Sequence, residues 1–85
     1  MEEIKKEIKS ALSAIMEIDA AEIDDEANLA EVLGLDSLQA LELVVKLERK
    51  YKIEIPQEEL RKFKNVNSVT EIVASYIAQP SVQVQ

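Results

Sequence analysis

The chain has no cysteine, no histidine and no tryptophan, and it has one glycine among 85 residues. Without cysteine it forms neither disulfides nor thiolate zinc sites, so the fold depends on packing alone. Without histidine a Ser-His-Asp relay has no base, and the imidazole ligands of most metal sites are missing. A single glycine is too few for a glycine-rich loop that cradles phosphate. These absences argue against an enzyme.

The net charge of −7 is concentrated in one segment. Seven acids and no lysine or arginine lie between residues 19 and 36, and the remaining ten acids balance the ten bases. Such a field repels nucleic acid and anionic membranes and attracts proteins with basic patches. The adjacent acids Asp24, Asp25 and Glu26 lack the glycine turn and spaced oxygen ligands of an EF-hand, so we expect no metal site.

No apolar run reaches the length of a membrane span, and the first residues are charged, unlike those of a signal peptide. We therefore expect a cytoplasmic protein without membrane insertion. The length suits one small domain, which we assign to residues 1–79, followed by a flexible C-terminal tail over residues 80–85. We expect a free-standing protein that is monomeric.

Helical periodicity accounts for the first half of the chain. Apolar residues spaced by four, four and three predict an amphipathic first helix over about residues 3–17. The residues concerned are Ile4, Ile8, Leu12 and Ile15. A long loop follows over residues 18–35, and we expect apolar residues to pin it to the bundle, namely Ile23, Leu29, Val32 and Leu33. A second helix is predicted over about residues 37–51.

Pro56 ends an extended stretch, Ile53-Glu54-Ile55, and can open a short third helix. Leu60 and Phe63 are expected to face inward from this helix. This third helix is expected to be shorter than the other helices.

The last helix is predicted to begin near Asn67-Ser68 and to continue to Ile77. Ser68 and Glu71 have the spacing of a capping-box pair at its start. Three long helices and a short third one, with a long loop between the first two, predict an all-α four-helix bundle.

The second helix has a well-defined start. Asp36 fits its N-cap, and Gln39 lies where a capping-box partner reaches back. Ser37 is then the first helical residue, with its hydroxyl in water, and Gly34 lets the incoming loop turn tightly. By itself this pattern indicates only a helix start, because aspartate and serine are both favoured there.

Leu38, Leu41 and Val45 share one stripe of the second helix, which Val44 and Leu47 widen. We therefore expect a largely buried helix, with the apolar neighbours of Ser37 directed inward.

A longer pattern extends beyond this helix start. It consists of Gly34-Leu35-Asp36-Ser37-Leu38, then Leu41-Glu42-Leu43-Val44, and then Tyr51-Lys52-Ile53-Glu54-Ile55-Pro56. This pattern resembles the acyl carrier proteins, and the resemblance runs from about Ile4 to Ile77. In that family the serine of the Asp-Ser-Leu motif carries a covalent 4′-phosphopantetheine arm, whose thiol holds acyl groups as thioesters. The resemblance implies that Ser37 is the attachment site, flanked by Asp36 and Leu38, in a carrier that is not an enzyme.

The resemblance also implies partners and a place for the cargo. The partners are a phosphopantetheinyl transferase and acyl-transferring and synthase enzymes with basic docking patches. The expected docking residues are Glu42, Glu48, Leu38 and Glu31. The family stores acyl chains between its helices, and the apolar candidates here are Leu41, Val45, Ile53, Ile55, Leu60 and Phe63. Each of these six is explained equally well as ordinary core.

Some residues depart from the common pattern of fatty-acid carriers. Gln39 stands where an acid often follows the motif, and Leu35 replaces a common alanine. The second helix has more bases than acids because of Lys46, Arg49 and Lys50. These departures argue against a role limited to the main fatty-acid synthase, and they are compatible with a specialised pathway for an unusual lipid or polyketide. The sequence is also compatible with a carrier of aminoacyl, peptidyl or D-alanyl groups, and with an acidic helical interaction module without a prosthetic group.

Overall fold

A computed structural model describes residues 2–78 of the chain. Three α-helices are present in this range: α1 (Glu2–Met16), α2 (Ser37–Tyr51) and α3 (Val66–Ala78). Two short 3-10 helices lie at Ala20–Glu22 and Gln57–Lys62. No strand occurs among residues 2–78, and the predicted all-α bundle is confirmed, with Gln57–Lys62 as its short third helix. The predicted tail over residues 80–85 lies outside the described residues.

α1 packs against both α2 and α3, and the aliphatic faces of the three helices share one core. The largest fully buried side chains are Ile8, Leu12, Leu29, Leu43, Leu47, Val66, Val69 and Val73. Burial of apolar surface contributes roughly 25 cal/mol per Å², so this set supplies the main favourable term for a fold without disulfides.

α2 buries only part of the set predicted to face inward, namely Val44 and Leu47. Its buried residues are Leu43, Val44 and Leu47. By contrast, Leu38 is 70% exposed, Leu41 36% and Val45 42%, so the expectation that these three are inward was wrong. The helix has apolar residues on two faces, and only the face that meets α1 and the core is buried. A stripe at helical spacing does not say which face that is.

The long connection between α1 and α2 is ordered by apolar anchors. Ile23 and Leu29 are buried, as predicted, and Leu33 packs against the core. Val32 is 65% exposed, so its predicted role as an anchor was wrong. The backbone N–H of Val32 donates to the Asn28 carbonyl at 2.8 Å, which forms a helical turn. Leu29 and Leu33, four residues apart, share its inner side and leave Val32 outside.

Asp25 links this connection to the helices on either side. Its carboxylate pairs with the ammonium groups of Lys9 and Lys5, the latter at 3.1 Å, and its carbonyl accepts from the Asn67 N–H at 3.2 Å. The hydrogen bonds from Lys9 and Lys5 hold the pKa of Asp25 below its usual range. The connection is therefore tied to α1 and to the first turn of α3.

α3 begins earlier than predicted, and its cap differs. The Asn65 side chain accepts from the Ser68 N–H at 2.7 Å, and the Ser68 hydroxyl accepts from the Asn65 N–H at 3.1 Å. Asn65 is therefore the cap and Ser68 its partner, so the predicted Ser68–Glu71 pair was wrong. Asparagine is as good a cap as serine, and a serine hydroxyl can take either position.

A side-chain hydrogen bond joins the second 3-10 helix to α3. The Tyr76 hydroxyl donates to Glu59 Oε2 at 2.6 Å. This bond, with burial, raises the pKa of Tyr76 to about 12, and it lowers the pKa of Glu59.

Candidate functional site

Ser37 is the exposed first residue of α2, and a capping box holds it there. The Asp36 carboxylate accepts from the Gln39 N–H at 2.8 Å, and the Gln39 side chain accepts from the Asp36 N–H at 3.1 Å. The predicted cap is confirmed. Because both ends of the box are satisfied, the helix begins at a defined residue and the Ser37 hydroxyl has a defined position.

The loop before this cap turns at Gly34, whose φ is +80°. This left-handed conformation carries a steric cost for any residue with a Cβ, which glycine avoids. Leu35 follows with its side chain buried and its N–H donating to the Leu29 carbonyl at 2.9 Å. A buried anchor therefore lies two residues before Ser37, and the loop delivers the serine to the surface.

Ser37 differs from the other hydroxyls of residues 2–78. Ser10 and Ser75 are also exposed, but they lie within α1 and α3, where the helix has no free N–H groups. The remaining serine and threonine hydroxyls in this range donate to backbone carbonyls, namely those of Ser13, Ser68 and Thr70. Ser37 alone combines an exposed hydroxyl with the start of an α-helix in the part of the chain that the structure describes.

The start of α2 suits a phosphate ester. The N–H groups of Ser37 and Leu38 belong to the first turn and have no acceptor within the helix. Together with the helix dipole they favour a negative group by about 0.3–1 kcal/mol. Asp36 and Glu31 are exposed nearby and oppose this preference. Because this attraction and this repulsion nearly cancel, the site would not bind free phosphate tightly, but it accommodates a phosphate that is covalently bound.

The predicted docking residues occupy different environments. Leu38 and Glu42 are exposed on α2, and Glu31 is exposed on the preceding loop. Glu48 is half-buried, and its Oε2 accepts from the Ile55 N–H at 2.8 Å. Glu48 therefore holds the segment that follows α2 against the helix, whatever else it contacts.

A groove of about 590 Å³ lies between α1 and α2, beside Ser37. Its lining residues are Ala14, Ile15, Leu38, Leu41, Glu42, Val45, Lys46 and Arg49. Four of these lining residues were not predicted as site residues: Ala14, Ile15, Lys46 and Arg49. The sequence signal for this groove was the apolar stripe Leu38, Leu41 and Val45, which was predicted to be buried in the core.

The six candidates for an acyl pocket fall into two groups. Leu41 and Val45 line the surface groove. The other four belong to the interior: Ile55 and Phe63 are buried in the core, and Ile53 and Leu60 pack against it. The first group lies on the exposed face of α2 and the second in or against the core, so the residues do not line one common cavity within residues 2–78.

Comparisons with known proteins show the family to which the chain is related. The family described as the phosphopantetheine attachment site matches residues 6–73. An acyl carrier protein of Helicobacter pylori (strain J99) is 37% identical over 68 residues, which cover 80% of this chain and 87% of that protein. The polyketide-8 synthase acyl carrier protein 2 of Streptomyces avermitilis is 31% identical over 71 residues, 84% of this chain and 82% of that protein.

A solved structure shares the fold as well. The structure of acyl carrier protein from Enterococcus faecalis has a TM-score of 0.73 and 27% identity, and the match covers 88% of this chain and 95% of that chain. The chain therefore belongs to the phosphopantetheine-binding acyl carrier protein family. It is a carrier protein and not an enzyme, with a covalent 4′-phosphopantetheine group. None of the helices within residues 2–78 is long and apolar enough to cross a membrane.

Proposed function

We propose that Ser37 carries the 4′-phosphopantetheine group and that the protein holds acyl intermediates there as thioesters. The supporting observation is the exposed Ser37 hydroxyl at the capped start of α2, which no other hydroxyl of residues 2–78 matches. When attached, the group supplies a terminal thiol, which a chain without cysteine lacks. Ser37 would anchor the ester, and the N–H groups of Ser37 and Leu38 would favour its negative charge.

Activation of the Ser37 hydroxyl is proposed to depend on a separate transferase. The chain has no histidine, and the Asp36 carboxylate is engaged by the Gln39 N–H at 2.8 Å. We infer that a phosphopantetheinyl transferase supplies the base that removes the hydroxyl proton. Asp36 has a positioning role here, since it holds the first turn and not the reacting atom.

Intact mass spectrometry tests the attachment. Incubation with coenzyme A and a phosphopantetheinyl transferase should add one phosphopantetheine to the wild type and none to Ser37→Ala. The matched control is Ser75→Ala, which removes another exposed hydroxyl and should be modified like the wild type. Modification of Ser37→Ala, or none of the wild type, contradicts the proposal.

Partner enzymes are proposed to dock beside Ser37, through Leu38, Glu42 and Glu31, with Glu48 at the edge. Leu38 offers an exposed apolar contact, and exposed acids steer a basic partner chiefly through the association rate. Glu42→Lys should slow association with the transferase, and added salt should shrink the difference. Glu71→Lys on α3 is the control, and equal slowing by both variants contradicts a localised dock. Charge reversal at Glu48 is a poorer probe, because it also breaks the bond to Ile55.

The acyl chain is proposed to enter the bundle among the inner candidates Ile53, Ile55, Leu60 and Phe63. This set is aliphatic apart from one aromatic ring and lies beside the segment that Glu48 holds. Leu41 and Val45 lie on the other face of α2 and can contact a chain only in the surface groove. Loading a long acyl chain should shift the amide NMR signals of the inner set. Shifts confined to Leu41 and Val45 assign the chain to the groove and contradict the interior pocket.

The acyl groups are proposed to serve fatty-acid, specialised-lipid or polyketide enzymes. Relatives named as an acyl carrier protein and as a polyketide synthase acyl carrier protein support this range. The mass of the acyl group on protein from its native host distinguishes the pathways, and an attached amino acid contradicts an acyl cargo.

A further inference from the structure

The charges along the exposed face of α2 are segregated. Acids lie at the Ser37 end, where Asp36 and Glu42 are exposed, and bases lie at the far end, where Lys46 and Arg49 are exposed. Glu42 and Arg49 are seven residues apart, which is about 10 Å along the helix. None of these four side chains forms an ion pair with another residue in the range 2–78.

An apolar stripe runs along α2 beside these charges. Leu38, Leu41 and Val45 follow one another at spacings of three and four on this face, and Ala14 and Ile15 of α1 flank them in the groove. The core of the bundle uses the opposite face of α2, so packing does not account for these exposed leucines and valine. Spacings of three and four match the apolar stripe of a second helix laid along the groove.

The groove is small for a permanent interface. Eight residues line it, whereas a stable complex takes about 20–30 residues a side. A second copy of this chain placed there would also cover Leu38, next to Ser37. The size and the position therefore favour a transient partner over a dimer.

We propose that this groove docks an amphipathic partner helix whose own charges are segregated, with bases toward Ser37 and acids toward Arg49. The proposal rests on the proposed carrier function and adds the polarity of the partner. A uniformly basic helix meets repulsion from Lys46 and Arg49, so the groove selects against it. Each carrier encounter thereby aligns the partner along α2 in one direction, with its basic end at the serine.

Two synthetic helical peptides with the same apolar stripe test this polarity. One has lysines in its first half and glutamates in its second half, and the other has lysines throughout. NMR titration of the full chain gives both the affinity and the residues that shift. We expect the segregated peptide to bind about fivefold more tightly at low salt, and to shift amides between Leu38 and Arg49.

A double charge reversal and its matched control locate the effect. Lys46→Glu/Arg49→Glu makes the groove acidic throughout and should reverse the preference, so that the all-lysine peptide binds more tightly. Arg61→Glu/Lys64→Glu changes the same residue types by the same net charge at exposed positions off the groove, and should keep the wild-type preference. Circular dichroism checks that both variants keep their helix content.

Several results overturn the inference. These are equal affinity for both peptides, tighter binding of the all-lysine peptide by the wild type, or loss of the preference in the control variant. If sedimentation shows that the wild type is a dimer and that the groove variant is a monomer, the occupant of the groove is a second copy of the chain and not a partner helix. Mass spectrometry of the same samples after transferase treatment keeps the two proposals apart. An unmodified wild type refutes the carrier site, whereas a modified protein without peptide preference refutes only the polarity.

Discussion

Asp36 has two separable properties at the start of α2, a capping oxygen and a negative charge. Asp36→Ala removes the acceptor of the Gln39 N–H and leaves the return bond from the Asp36 N–H without support. Loss of such a cap costs about 1 kcal/mol, within a range of about 0.5–2. Because Asp36 is exposed, no cavity adds to this cost. For a domain of this size the midpoint temperature should fall by about 4–8 °C.

Asp36→Asn keeps a capping oxygen and removes the charge. Asparagine caps as well as aspartate, so its midpoint should fall by less than half as much as that of Asp36→Ala. Thermal unfolding followed by circular dichroism measures both variants under the same conditions. Equal losses for the two variants refute the capping argument, because the charge then accounts for the stability. Should Asp36→Asn stay stable yet associate slowly with a transferase, the charge acts in docking.

The further predictions concern packing and pH. Leu43→Ala should lower the free energy of unfolding by about 2–5 kcal/mol because Leu43 is fully buried, whereas Leu38→Ala should change it by less than about 0.5 kcal/mol because Leu38 is exposed. Similar losses for the two variants in urea denaturation contradict this assignment of the buried and exposed faces of α2. The raised pKa of Tyr76 means that its bond to Glu59 stabilises the fold below pH 10 and is lost as the pH rises toward about 12, and Tyr76→Phe should abolish this alkaline loss in a pH series. The lowered pKa of Glu59 has the opposite effect on the pH dependence of stability. Ionised Glu59 stabilises the fold above pH 4.5, and this stabilisation disappears as the pH falls through the lowered pKa. If Glu59→Gln loses stability in acid as the wild type does, the result contradicts this contribution.

Local signals predicted the long helices because those signals lie within a few residues of each other. The first helix was expected over residues 3–17 and is Glu2–Met16, and the second was expected over 37–51 and is Ser37–Tyr51. The Asp36–Gln39 box is local in the same sense. The fold of these segments follows from spacing and capping that any solvent-exposed helix would show.

Features that depend on distant contacts were not predicted. Which stripe of α2 is buried depends on where α1 packs, and the sequence contains two stripes. The pairing of Asp25 with Lys5 and Lys9 joins residues at least 16 positions apart. Neither its partners nor its pKa shift can be read from spacing. The groove could not be predicted for the same reason, since Ala14 and Ile15 reach it only through the packing of α1 on α2.

The most direct test of the account is the position of the modification on protein purified from its native host. Cleavage after glutamate releases residues 32–42, a peptide in which Ser37 is the only hydroxyl-bearing residue. We predict that this peptide carries one phosphopantetheine, with or without an acyl group. An unmodified 32–42 peptide, with the added mass on another part of the chain or on none, contradicts the assignment of Ser37.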